Sequence, residues 1–172
     1  MGSTTLKGTQ KNDSLKGGSK DDILEGLFGD DTLSGGSGDD LLNGGEGDDQ
    51  LIGYNPDATE FNNPEIDSLT GGSGVNTFWV GDSNRNYYGA EGRYAIISDF
   101  DNPESVDNRI QLWGGEEYEY RETQIDDGRL TSGLGIFGAG DSPLVVLEGF
   151  DASDASNLIA SDQGALTFIE YS

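Results

Sequence analysis

The sequence predicts an all-β protein: a parallel β-roll, a solenoid of short strands and turns, with a C-terminal β-rich capping region. Three observations predict it. Asp-x-apolar triplets recur every nine residues through the first half. A glycine stands five residues before each aspartate of the early units. In the second half the period stops, and β-branched and aromatic runs separated by turn residues take over.

The triplets are Asp13-Ser14-Leu15, Asp22-Ile23-Leu24, Asp31-Thr32-Leu33, Asp40-Leu41-Leu42 and Asp49-Gln50-Leu51. One unit is then skipped. The register resumes at Asp67-Ser68-Leu69 and ends at Asn76-Thr77-Phe78. The leading glycines are Gly8, Gly17, Gly26, Gly35 and Gly44, and the cleanest units open Gly35-Gly36-Ser37-Gly38-Asp39-Asp40 and Gly44-Gly45-Glu46-Gly47-Asp48-Asp49. Glycines let the main chain turn tightly and aim its carbonyls inward. The aspartate adds a charged oxygen there, and the leucine two residues later starts a strand and points into a core. One unit makes a turn and a strand, half a coil. Turns 18 residues apart then stack on one edge, where oxygens from both can surround an ion.

Several units depart from this pattern. The first, Gly8 to Asp13, lacks two glycines and reads as a frayed turn. Lys20 replaces a glycine, Leu27 and Phe28 replace two turn positions, and Asn76 replaces the last aspartate as a weaker ligand. Ala58 and Glu60 break the unit that begins at Gly53. Two stackings follow. If residues 53–61 keep the register, Asp67 stacks on Asp49. If about nine residues near 54–62 loop out, Asp67 stacks on Asp40 and Asn76 on Asp49. Pro56, Pro64 and Asn62-Asn63 favour the loop.

Charge narrows the function classes. Nine Lys and Arg face 33 Asp and Glu, a formal net charge of −24. Such a surface repels nucleic acid and anionic membranes and attracts cations. No apolar run reaches membrane-spanning length, so no membrane insertion is expected. With neither histidine nor cysteine, zinc ligation and a histidine relay are both disfavoured. The chain is read as non-enzymatic and as a monomer.

The units resemble the RTX (repeats-in-toxin) nonapeptide, Gly-Gly-x-Gly-x-Asp-x-apolar-x, from Gly8 to about Trp79. The resemblance implies calcium ions held between stacked turns, with the sixth-position aspartates and main-chain carbonyls of the turn as ligands. Carried over, the side chains are Asp13, Asp22, Asp31, Asp40, Asp49, Asp67 and Asn76. The main-chain positions are Gly17, Ser19, Gly26, Phe28, Gly35, Gly36, Ser37, Gly44, Gly45 and Glu46. Oxygen-only ligation on flexible turns suits roughly four or five calcium ions better than magnesium. Carboxylates stacked at about 4 Å repel by roughly 4 kcal/mol at an effective dielectric near 20. The repeats are therefore expected to fold only as calcium binds.

Three segments follow from this: a tail over residues 1–7 (Met1, Gly2 and Ser3 as a tag remnant), the β-roll over 8–79 with its insertion, and the cap over 80–172. In the cap, strands are expected at 77–80, 94–98, 109–113, 134–137, 144–147 and 166–171, turns at 99–107 and 138–143, and a short helix at 153–160. The order Phe78-Trp79-Val80, Ile96-Ile97-Ser98-Asp99-Phe100, Arg109-Ile110-Gln111-Leu112 is similar to the segment after the repeats in RTX proteins, cyanobacterial ones above all. That similarity implies an uncleaved C-terminal signal, the type I secretion apparatus as partner and an extracellular location.

Three motifs are decoys. Gly133-x-Gly135-x-x-Gly138 has no following helix and reads as a strand. Asp99-Phe100-Asp101 reads as a turn, and Glu116-Glu117 as a solvated acidic pair. An alternative function is an extracellular adhesive or ligand-binding domain that uses exposed Tyr54, Phe61, Tyr87 and Tyr88.

Overall fold

The computed structural model describes residues 2–55, 64–89, 92–101, 107–123 and 133–171. Strands β1 (Thr5–Lys7), β2 (Ser14–Lys16), β3 (Ile23–Phe28), β4 (Thr32–Gly36), β5 (Leu41–Glu46), β6 (Gln50–Tyr54), β7 (Glu65–Ser73) and β8 (Thr77–Trp79) alternate between two sheets. Odd-numbered strands stack in parallel in one sheet and even-numbered strands in the other. Each nine-residue unit thus contributes a single strand, and each pair of units closes a coil.

The ladder leucines make the core. Leu24, Leu33, Leu42, Leu51, Leu69 and Phe78 are fully buried between the sheets. Leu24 pairs with Leu42 and Leu33 with Leu51, 18 residues apart. The spacing then jumps: Leu42 pairs with Leu69 and Leu51 with Phe78. One unit is absent from the ladder between them, so Asp67 stacks on Asp40. Of the segment that accommodates this, Tyr54 and Asn55 are described, whereas Pro56, Ala58, Glu60, Phe61, Asn62 and Asn63 lie outside the described residues.

The roll continues into the second half. β9 (Arg93–Ile97) pairs in parallel with β7, and β10 (Arg109–Trp113) in parallel with β8. These pairings set Ile97 against Leu69 and Ile110 against Phe78, so the ladder gains two rungs with no repeat motif. Then the direction changes. β13 (Val145–Glu148) adds in parallel beside β9, followed by antiparallel β12 (Gly133–Phe137) and β11 (Glu119–Thr123). On the other sheet, antiparallel β15 (Leu166–Tyr171) and β14 (Leu158–Asp162) close the edge beyond β10. Residues of both halves share one hydrophobic cluster, in which Phe100 lies edge-on to Phe78 at 6.3 Å.

The structure departs from the sequence reading in four places. Residues 5–7 are not a tail: they form β1, with Leu6 in register with Leu24. The expected helix at 153–160 is one 3-10 turn, Asp154–Asn157, and the chain then extends into β14. β11 was not anticipated, because Glu119-Tyr120-Arg121-Glu122-Thr123 carries no apolar alternation. It is an exposed edge strand, where charge discourages further pairing. Lastly, Tyr54, Tyr87 and Tyr88 are core residues, 2%, 4% and 5% exposed, not a display of aromatics.

Candidate metal centre

The turn preceding each strand is shaped by two kinds of glycine. At the second position of the unit, Gly36, Gly45 and Gly72 have φ of +116°, +114° and +90°. Leu27 occupies this position in its own unit and is forced to φ +84°, a conformation costly for a residue with a Cβ. Glycine at the first position is required by space. A methyl on Gly26 would stand closer than 3.0 Å to both Asp31 Oδ2 and the Gly44 carbonyl oxygen. The same holds at Gly17 for Asp22 and Gly35, at Gly35 for Asp40 and Gly53, and at Gly44 for Asp49 and Gly71. At each of these glycines, a carboxylate oxygen of one turn and a carbonyl oxygen of the next coil converge.

The two oxygens of each aspartate have separate tasks. Oδ1 ties one coil to the next: the N–H groups of Asp13, Asp22 and Asp31 donate to Oδ1 of Asp31, Asp40 and Asp49 at 2.7, 2.7 and 2.8 Å. Oδ2 points into the turn. In Asp31, Asp40 and Asp49 this oxygen is buried and has no hydrogen-bond partner. An anionic oxygen in that state is costly unless a cation faces it. Burial accordingly pushes the Asp40 carboxyl up to about 8 and Asp49 to about 6, and raises Asp31, with neighbouring aspartates adding repulsion.

The ends of the array differ. Asp13 Oδ2 accepts from the N–H and hydroxyl of Thr9 at 2.6 and 2.8 Å. Asp22 Oδ2 accepts from Gly18 N–H at 2.6 Å. Asp67 is fully buried, and its Oδ2 accepts from the Tyr88 hydroxyl at 2.5 Å. Asn76 presents an amide in place of a carboxylate. Among the described residues no three acidic side chains gather at one point. An ion between these turns would take most of its oxygens from the main chain.

Residues 1–33, 17–51 and 62–93 match the RTX calcium-binding nonapeptide repeat (4 copies). The first half of the chain is thus similar to RTX repeat arrays. Among solved structures, the AlgE6R3 subunit of the Azotobacter vinelandii mannuronan C5-epimerase is similar, at 22% identity and a TM-score of 0.33. The match covers 95% of this chain and 84% of that one. No curated protein matches the chain.

In the stacked turns the donor set fits calcium: carboxylate and carbonyl oxygens, with no imidazole or thiolate in the chain. The first-position carbonyls of Gly26, Gly35 and Gly44 lie beside Asp13, Asp22 and Asp31. Gly17 has no such partner, since Thr4 stands in the preceding turn and donates to Asp22 Oδ1. Of the third-position carbonyls, that of Glu46 accepts from Gly29 N–H at 2.8 Å and belongs to the turn-to-turn ladder. Gly53 and Gly71 were missed from sequence. Each leads a unit, the first broken and the last amidated, and their own motifs gave no reason to count them.

A second row was also missed. Fifth-position Asp21, Asp30 and Asp48 accept from the N–H groups of Asp39, Asp48 and Val75 through Oδ1 at 3.1, 3.1 and 2.8 Å, zipping the outer rim of the turns. Two decoys also prove structural. Asp99 accepts from Gly71 and Gly72 N–H at 2.9 and 2.7 Å, and Glu116 accepts from Asn86 and Ala139.

Proposed function

We propose that this chain is a calcium-binding β-roll module whose RTX half folds as calcium binds, with no catalytic role of its own. The observation that carries the reading is the set of three buried, unpartnered oxygens, Oδ2 of Asp31, Asp40 and Asp49, each beside a main-chain carbonyl of the next coil. Without a cation these carboxylates oppose the fold, and with one they hold successive coils together. Binding energy is then spent on folding.

Extracellular calcium modules have Kd of about 10⁻⁴–10⁻³ M. A module in that range stays open where calcium is scarce and closes where it is abundant. This suits export through a type I secretion apparatus followed by folding outside the cell. Burial of Tyr54, Tyr87 and Tyr88 argues against an adhesive surface built on them. Circular dichroism during calcium titration tests the reading. Strand signal should grow with calcium and reverse with chelator, and magnesium should do much less. Identical spectra with and without calcium would overturn it.

A further inference from the structure

The RTX array does not simply run out at the cap; each of its two edges is closed by a side chain that stands where an ion would. One edge carries Asp22, Asp40 and Asp67, and the next residue in register is Ala95. At Gly53, the position equivalent to Gly17 and Gly35, the oxygens nearest to an added methyl would be the Tyr88 hydroxyl and Asp67 Oδ2, where Gly17 and Gly35 have a carbonyl and a carboxylate. Tyr88 reaches this point from the segment after β8 and is itself buried. Its O–H gives Asp67 the partner that Asp31, Asp40 and Asp49 lack.

The other edge carries Asp13, Asp31, Asp49 and then Asn76 and Asn108. The Oδ1 ladder persists there unbroken: Asp49 N–H donates to Asn76 Oδ1, and Asn76 N–H to Asn108 Oδ1, both at 2.9 Å. Those bonds fix the amide orientation, because a main-chain donor requires the oxygen at that position. The NH₂ group must then occupy the place of Oδ2. Near Gly71 it does, and there Asn76 Nδ2 is directed at the Gly72 carbonyl at 3.4 Å. Asn108 Nδ2 likewise donates to the carbonyls of Asp99 and Phe100 at 3.4 and 3.3 Å. An amide N–H₂ donates to carbonyls and cannot ligate a cation.

We infer that Tyr88 and Asn76 are built-in stops of the calcium array: uncharged donors that replace an ion at the first turn beyond the last site on each edge. Ions belong at Asp31, Asp40 and Asp49, while Asp67 and Asn76 hold none. This rests on the calcium reading above. It makes the seam between repeats and cap independent of calcium, so the cap offers a formed surface before any ion arrives.

The test is the number of calcium ions bound by the full chain, counted by native mass spectrometry and calorimetry. Asp49→Asn should lose one ion, Asp67→Asn none, and Asn76→Asp should gain one. Tyr88→Phe should lower the thermal midpoint without calcium and leave the count no lower. A wild-type chain that takes up no calcium overturns both readings. A wild type that does, with Asp67→Asn one ion short or folded Asn76→Asp unchanged, overturns the stops alone.

Discussion

The main-chain N–H of Asp40 donates to Oδ1 of Asp67 at 2.9 Å, across 27 residues of sequence. Every earlier bond of this kind on the same edge spans 18. The bond places Asp40 between two coils, with its Oδ2 buried beside the Gly53 carbonyl. Asp13, at the open end, already has its Oδ2 satisfied by Thr9. Asp40→Asn should therefore weaken calcium binding by at least tenfold, about 1.4 kcal/mol, and Asp13→Asn by much less. Calorimetric titration of the two variants separates them, and equal losses would contradict the assignment.

Acidity should act in opposite senses on the calcium-free and calcium-loaded forms. Burial pushes Asp40 and Asp67 up to about 8, Glu65 to about 7 and Asp49 to about 6, above the roughly 4 of exposed carboxylates. A group whose pKa is higher in the folded state supports the fold while protonated. That support is full below about pH 4 and is lost as pH rises through about 8. Without calcium, strand content by circular dichroism should be greater near pH 5 than near pH 8.5. With calcium, protons compete for Asp40 and Asp49, and affinity should drop by up to about tenfold per pH unit below the site's pKa. Calcium affinity independent of pH from about 8 to 6 would contradict this.

Leu27 is a local defect in the array. Its φ of +84° is tolerated where Gly36, Gly45 and Gly72 stand in their units, and the residue is 39% exposed. Leu27→Gly relieves the backbone at the cost of a more flexible unfolded chain. A net gain of roughly 1 kcal/mol is expected, about 2–4 °C in thermal midpoint with calcium present. A lower midpoint would show that the leucine's contacts outweigh its strain.

The repeats are expected to need the cap in order to fold. Beyond Val80 the chain supplies Ile97 against Leu69, Ile110 against Phe78, the Asp99 carboxylate on Gly71 and Gly72, and Asn108 on Asn76. In a stack where each unit touches only its neighbours, the first surface is the hardest to form. A fragment of residues 1–80 should remain largely unfolded by circular dichroism at millimolar calcium. Folding at the calcium midpoint of the full chain would reduce the cap to a passive cover.

The sequence by itself determined the roll. A period of nine with a leucine at a fixed offset leaves one way to bury a single apolar residue per unit, in strands alternating between two sheets. Glycine and aspartate at constant spacing likewise located the turns and their carboxylates. The strands of the cap were legible where branched or aromatic residues clustered, as at Arg109–Trp113 and Leu166–Tyr171. They were not legible at Glu119–Thr123, where an edge strand needs no buried face.

What only the tertiary structure decided is which oxygens are left without a partner. Asp67 repeats the Asp-x-Leu motif of Asp49, yet the Oδ2 of one is joined to Tyr88 and that of the other is buried without a hydrogen-bond partner. Tyr88 lies 21 residues beyond Asp67 and outside any repeat, so no local pattern announces it. The stacking offset was favoured in the sequence only by Pro56, Pro64 and Asn62-Asn63, because both candidate registers put the same leucines inward and differ only in how the coils pair. Hydrogen bonds between coils are long-range in sequence, and they choose between arrangements that the nine-residue period treats as equal.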